Sequence, residues 1–347
     1  VPVHNFEPLR GRVVSLTIES EHLRRNMLGD PATREVAVHL PEGYDHGDAD
    51  YPLLVALAGY TGSGLKLLAW QSFGETLPHR VERLVAAGEM GPAVVVFPDC
   101  FTSLGGNQYV DSDAMGHWAS YLIEDVIPRI ESEFRVRRGR EHRAVFGRSS
   151  GGYGALYHAM RHAEAWGAAA SHSGDCDFDI IFRRDLPAAL DALARHDGDV
   201  GAFLDSLTQA KKVRGAQFHA LMILAMAASF APESDAPRGV RLPVDPHTCA
   251  LDEERWSRWL AHDPLRMVDD PGCQANLRRL SGLFIDCGSR DEYFMHYGTR
   301  HLVRKLESAG IEHQYEEFED GHSGVDYRLD RSLPFLYRAL TGRRGGA

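Results

Sequence analysis

Ser149, Asp291 and His322 follow one another along the chain in an order and with flanking residues suited to nucleophilic acyl transfer. A serine hydroxyl is a weak nucleophile at neutral pH and needs an imidazole to take its proton, itself oriented by a carboxylate. Ser149 lies within Gly147-Arg148-Ser149-Ser150-Gly151-Gly152, a Gly-x-Ser-x-Gly pentapeptide. Glycine on both sides permits a sharp strand-to-helix turn that holds the serine out, because a Cβ there would collide with the neighbouring elements. The base is expected in Asp320-Gly321-His322-Ser323-Gly324, a glycine-flanked loop directly after an apolar run. His313 falls in strand sequence and His301 in helical sequence, so neither suits the role.

For the acid, Leu283 to Glu292 offers Asp286, Asp291 and Glu292. Asp291 lies past the Gly288 turn, where its side chain can reach the histidine loop. Asp286 is still within strand sequence and is expected to pair with an arginine, and Asp320 is too close along the chain to orient His322. An oxyanion needs two N–H donors. Ser150, the residue after the nucleophile, would supply one, and the segment Ala58-Gly59-Tyr60-Thr61-Gly62 the other, through Tyr60 or alternatively Thr61. Thr61, Phe101 and Trp118 are candidates for binding substrate. Phe101, Tyr109 and Trp118 would line an acyl or aromatic pocket, or else pack in the core. Arg148 would grip an acidic substrate or pair with a carboxylate. No Gly-Lys-Ser/Thr follows the glycine-rich segment, which argues against a phosphate cradle, and the 18 histidines show no compact ligand spacing. No metal and no cofactor are expected.

These residues need strands to carry them. Arg143 to Phe146 reads as a buried parallel strand before the turn, and Tyr153 to Met160 as a helix that small residues let pack closely upon it. Pro52 to Ala58, Ala93 to Pro98, Trp166 to Ser171, Leu283 to Cys287 and His313 to Phe318 are further strands. Helices are expected over Leu77 to Ala87 and Ala119 to Phe134, the latter kinked at Pro128. Val13 to Ile18 and Glu35 to Leu40 suggest antiparallel edge strands. The pattern predicts an α/β fold with a mostly parallel, doubly wound sheet. Between the strands near Ala170 and Phe284 the periodicity is helical, with helices at Leu186 to Arg195, Val200 to Lys211, Gln217 to Phe230 and Asp252 to Ala261. The expected organisation is a core over residues 1–178, a helical cap insertion over 179–265 and the rest of the core over 266–347. Phe218 to Phe230 is apolar on nearly every face, which places it inside the cap or in a contact between subunits of a homo-oligomer.

The net charge of −11 argues against nucleic-acid or anionic-membrane partners. Five cysteines without a C-x-x-C pair point to reduced thiols. No basic-then-apolar start is visible, and no apolar run reaches spanning length, so a cytoplasmic location is expected.

Taken together, Tyr51-Pro52-Leu53-Leu54-Val55, Pro98-Asp99, Ile123 to Pro128, Gly147 to Leu156, Trp166 with Ser171-His172-Ser173-Gly174, and the Asp291 and His322 loops carry a resemblance. The chain resembles the Putative esterase family of α/β-hydrolases, which includes S-formylglutathione hydrolases, enterochelin esterases, feruloyl esterases and mycolyltransferases. The resemblance implies an α/β-hydrolase fold, a Ser149–His322–Asp291 triad and a small-molecule ester substrate. Ala58-Gly59 stands where family members commonly have His-Gly, and Arg148 and Ser150 flank the serine where they often carry His and an apolar residue. The expected activity is hydrolysis of a carboxylic ester. The alternatives are acyl transfer or amide cleavage by the same triad, and a silent binding protein.

Overall fold

The computed structural model describes residues 7–342. Strands run in chain order as β1 (Arg12–Glu19), β2 (Thr33–Leu40), β3 (Leu53–Leu57), β4 (Val94–Pro98), β5 (Asp111–Ser112), β6 (Gly116–His117), β7 (Arg143–Arg148), β8 (Ala168–His172), β9 (Gly282–Gly288) and β10 (Gln314–Phe318). Eight form one sheet in the order β1-β2-β4-β3-β7-β8-β9-β10, and β5 and β6 form a separate two-stranded ribbon. β1 pairs antiparallel with β2, and β2 antiparallel with β4. The neighbouring pairs from β4 to β10 are all parallel. The fold is the α/β-hydrolase fold, its mainly parallel sheet flanked by helices.

Alternation along the central strands divides the core in two. Leu53, Val55 and Leu57 face one layer with Val145, Ala169, Leu283 and Ile285. Leu54 and Ala56 face the other with Ala144, Phe146, Ala168, Ala170 and Phe284. Period-two alternation with both faces buried is what a central strand under two helical layers requires. The helices Leu77–Ala86 and Leu329–Thr341 cover the second layer.

The first layer continues without a break into the stretch between β8 and β9. Helices there include Leu186–Ala194, Val200–Gln209, Gly215–Phe230 and Glu253–Leu260, close to the expected ranges. Shorter helices at Phe178–Ile181, Pro264–Met267 and Pro271–Arg278 had no periodicity long enough to announce them. Ile181, Phe182, Ile223, Met226, Phe230 and Trp259 belong to the same hydrophobic cluster as the sheet residues. In Gly215–Phe230, every residue from Ala220 to Phe230 is buried within this one chain. From Ala220 to Phe230 the apolar character of that helix is therefore satisfied inside this chain. Among the described residues, no helix is long and apolar enough to cross a membrane.

Around Pro128 the expected kink takes the form of a widened turn. Residues Tyr121–Val126 are π-helical and lead into the helix Ile127–Glu133. Proline has no N–H to give the carbonyl four residues back, and a local wide turn makes room for its ring.

Register brings the functional loops to one level. Leu57 pairs with Gly147, Arg148 with His172, His172 with Asp286, and Gly288 with Phe318. Gly59-Tyr60, Ser149, Ser173 to Asp175, Asp291 and His322 therefore all emerge beyond the carboxyl ends of adjacent strands. The sheet order turns outward from β3 in both directions, the kind of switch point at which open α/β sheets bind ligands.

Because the inserted helix shares its core with the sheet, Ile223→Ala should cost about 2–5 kcal/mol of unfolding free energy in a single cooperative transition. Urea unfolding followed by both circular dichroism and tryptophan fluorescence checks this. Non-coincident curves would mean that the insertion melts by itself.

Candidate active site

Ser149 occupies the turn between β7 and the helix Ser150–Arg161 with φ 57° and ψ −126°. A non-glycine residue with this backbone is strained and persists only where its surroundings enforce it. Here they do. A Cβ on Gly151 would lie 2.1 Å from the Leu57 carbonyl oxygen, and one on Gly147 2.5 Å from the same atom. The Ser149 N–H donates to His172 O at 2.9 Å, and Ser149 O accepts from Tyr153 N at 2.8 Å. The result is a half-buried serine at the mouth of a helix N-terminus.

His322 and Asp291 meet as expected. His322 Nδ1 lies 2.7 Å from Asp291 Oδ2, and both side chains are buried. Asp291 Oδ1 accepts from Tyr293 N at 2.9 Å, which fixes the carboxylate plane, and the Tyr293 ring stands edge-on to the imidazole at 4.8 Å. The neighbouring Glu292 holds the same histidine by its backbone, accepting from His322 N at 2.8 Å. A Cβ on Gly321 would come within 2.6 Å of Glu292 Oε1, so the glycine permits this grip. Arg148 adds a third hold, donating to His322 O at 3.3 Å while it sits 3.6 Å from Asp326. Of the two roles considered for Arg148, carboxylate pairing is the one present, and it braces the histidine loop.

Ser149 and His322 line one cavity of about 170 Å³ together with Gly59, Tyr60 and Ser150. Among the described contacts no hydrogen bond joins the serine hydroxyl to the ring, a looseness common before a substrate draws such a pair together. The N–H groups of Tyr60 and Ser150 donate to no carbonyl among the described loop and cap contacts. The Thr61 N–H, by contrast, is committed to Gly105 O at 2.7 Å, which removes it as an oxyanion donor. Tyr109, buried, donates from its hydroxyl to Ala58 O at 2.5 Å and so pins the strand end that leads into Gly59-Tyr60.

The three expected substrate contacts separate. Thr61 and Phe101 line a neighbouring groove of about 450 Å³, and Phe218, which lines both spaces, divides it from the serine cavity. Trp118 lies in the core instead. It is 1% exposed, its indole N–H donates to Met115 O at 2.9 Å, and the Arg34 guanidinium stacks on it at 4.9 Å. A tryptophan with its one donor already satisfied makes a good core residue, and sequence spacing alone cannot tell it from a pocket wall. His301, in the helix Met295–Ser308, lies 3.1 Å from Asp177, and His313 sits just before β10 with its ring at Ile311 O.

A second serine, histidine and aspartate set lies beneath the first. His172 Nδ1 is 2.7 Å from Asp286 Oδ1, and its Nε2 is 2.8 Å from Ser332 Oγ. Asp286 also accepts from Arg328 Nε at 2.9 Å, which is the arginine pairing anticipated for it. All three members are buried, and Ser332 is 0% exposed within a helix, so no substrate can reach it.

Asp175 had no local signal in the sequence. It lines the serine cavity and is 3% exposed, with Gln108 Nε2 at 2.9 Å from its Oδ2. Burial lifts its carboxyl to about 6, opposed by the Gln108 hydrogen bond and the proximity of His322. Burial likewise lifts Asp263 to about 6, although it accepts from the N–H groups of Asp177, Phe178 and Leu265. Among the described residues no group of three or more His, Cys, Asp and Glu side chains is arranged to hold a metal ion.

The model of the family described as "Putative esterase" matches residues 31–330. The chain belongs to that family. Esterase Rv1288 of Mycobacterium tuberculosis H37Rv is 32% identical over 156 residues, a match covering 42% of this chain and 31% of that protein's length. A ferulic acid esterase structure superposes with a TM-score of 0.60 at 21% identity, covering 96% of this chain and 100% of that one. An S-formylglutathione hydrolase from Agrobacterium tumefaciens superposes at 0.59 with 17% identity, over 96% and 97% of the two chains. These structural likenesses establish the shared fold.

Two outcomes follow from the site. Ser332→Ala should leave ester turnover within about twofold of wild type while costing about 1–3 kcal/mol, because it strips a partner from buried His172; turnover assays and urea melts on the same preparation read both. For Asp175, the folded pKa of about 6 exceeds the ordinary 3.8. The folded state then binds more protons between these values, so its contribution is full below about pH 4 and is lost as pH rises through about 6. Asp175→Asn should make the decline in stability from pH 4 to pH 7 shallower by on the order of 2–3 kcal/mol. An unchanged slope in urea melts across that range would contradict the assignment.

Proposed function

We propose that the protein is a serine esterase that works through an acyl-enzyme on Ser149, with His322 as general base and Asp291 as its orienting acid. The observation that carries this reading is the Asp291–His322 contact of 2.7 Å on the cavity that Ser149 also lines. In the first step Ser149 Oγ attacks the ester carbonyl carbon while His322 Nε2 takes the hydroxyl proton. The carbonyl oxygen becomes an oxyanion, for which the Tyr60 and Ser150 N–H groups are free to donate. Collapse of this intermediate expels the alkoxide, which leaves as the alcohol with the proton from His322. Water then attacks the acyl-enzyme by the same route in reverse and releases the acid. Asp291 holds Nδ1 protonated so that Nε2 faces the serine, and stabilises the imidazolium that forms in each half.

The test is labelling with a fluorophosphonate probe, which phosphonylates an activated serine. Wild type should label at Ser149, and Ser149→Ala should not, with ester turnover falling by about 10⁴-fold or more. Asp291→Asn should retain the fold and lose about 10³–10⁴-fold in kcat. Equal labelling of wild type and Ser149→Ala would overturn the proposal. Product analysis with and without an added alcohol distinguishes hydrolysis from acyl transfer, and hydrolysis is the expected outcome.

A further inference from the structure

The serine cavity has an apolar wall and one acidic group. Ile181, Phe182, Met222 and Met295 supply the apolar surface, and Asp175 is the carboxyl among them. An ionised carboxylate is acceptor-only and offers about four lone-pair sites. Asp175 has one described side-chain donor, Gln108 Nε2, which is itself shared with Met226 Sδ at 2.8 Å. Gln108 is 0% exposed, and its Oε1 is buried with no hydrogen-bond partner. The pair therefore holds surplus acceptors in an enclosed space where acceptors are costly to leave unmatched.

The backbone fixes this arrangement. Ser173 and Asp177, on either side of Asp175, both have positive φ, at 45° and 63°. Asp263 clamps the far side through the N–H groups of Asp177 and Phe178 at 3.0 and 2.8 Å. A Cβ on Gly174 would lie 2.9 Å from Tyr153 N, so the segment is pressed against the helix that Ser149 begins. Two strained residues and a buried clamp hold a buried carboxyl at a cavity that an apolar residue would line at lower cost. Nothing in the ester-cleaving chemistry described above uses it.

Resting on the serine-esterase reading, we infer that Asp175, backed by Gln108, is a specificity-determining residue that accepts a hydrogen bond from a hydroxyl group on the ester substrate. The preferred substrate is thus an ester with an apolar body, which meets the Phe182 and Met222 side, and a hydroxyl donor that reaches Asp175. An ester of the same shape without the donor would bury the carboxylate and leave its free lone pairs unanswered. A site built this way discriminates strongly, because the penalty falls on the protein's own polar group. The hydroxyl could belong to the acyl half or to the alcohol half, and paired substrates separate the two.

The experiment measures kcat and KM for two matched series. One compares p-nitrophenyl esters of an ω-hydroxyalkanoic acid and of the alkanoic acid of equal length. The other compares hydroxyphenyl and phenyl esters of one short acid. Wild type should prefer the hydroxylated member of one series by about 10–100-fold in kcat/KM, and the series identifies the half that carries the donor. Asp175→Leu should abolish the preference, mainly through KM of the hydroxylated ester. Asp175→Asn, whose amide oxygen still accepts, should keep part of it, and Gln108→Leu should weaken it. Fluorophosphonate labelling of Ser149 should persist in all three variants, which shows that the fold and the nucleophile are intact. No preference in either series, a preference that survives Asp175→Leu, or equal losses on both members of a pair would overturn the inference. Failure of wild type to label would instead overturn the serine-esterase reading beneath it.

Discussion

The site depends on how closely the turn at Ser149 approaches the end of β3. The Leu57 carbonyl sits where a Cβ of Gly147 or Gly151 would have to be, at 2.5 and 2.1 Å. That approach makes the turn sharp enough to hold Ser149 at positive φ, and it brings the Gly59-Tyr60 donors beside the nucleophile. One van der Waals constraint thus fixes both the Ser149 turn and the Gly59-Tyr60 segment beside it, the pair that the proposed mechanism uses for attack and for oxyanion binding. The strain at Ser149 is a local cost, and the buried alternation of β3, β7 and β8 is what offsets it.

The histidine is held by a different device. Its ring is aimed by Asp291 and its backbone by Glu292, so two consecutive acids act on one residue from two directions. Arg148, next to the serine in sequence, ties the same loop from the β7 side. Polar contacts from β7 and from the loop after β9 supply much of its positioning.

Much of this was legible in the chain. Strand positions could be read because buried parallel strands leave continuous apolar runs, and the order of Ser149, Asp291 and His322 could be read because loop position along the strand order constrains reach. Glu292 stood among the candidate acids, but nothing local showed that it would bind a backbone N–H. The sequence left Trp118 open between pocket and core for a plain reason: an aromatic residue near a loop looks the same whether its neighbours in space are solvent or core. Asp175 was illegible for a related reason. Its significance comes from burial and from Gln108, sixty-seven positions away, and no local pattern records either. Likewise the apolar helix Gly215–Phe230 suggested a partner only because its covering residues are scattered along the chain.

On the serine-esterase reading, two sets of serine, histidine and aspartate in one molecule show what separates a reactive constellation from a structural one. Hydrogen-bond distances do not, since the His172–Asp286 and His322–Asp291 contacts are both 2.7 Å. The difference is in what surrounds the serine. Ser332 sits inside a regular helix, fully enclosed, its hydroxyl already committed to His172. Ser149 sits at a strained turn, half-exposed, and among the described contacts neither its hydroxyl nor the Tyr60 and Ser150 N–H groups beside it have a hydrogen-bond partner. The inner set ties β8 and β9 to the helix Leu329–Thr341 and extends through Arg328 to Glu316, so its polar groups are matched within the protein. The outer set leaves acceptors and donors unmatched at a cavity. In the proposed mechanism reactivity falls to the set whose hydrogen bonds the fold leaves incomplete, because that set has something left to offer a substrate.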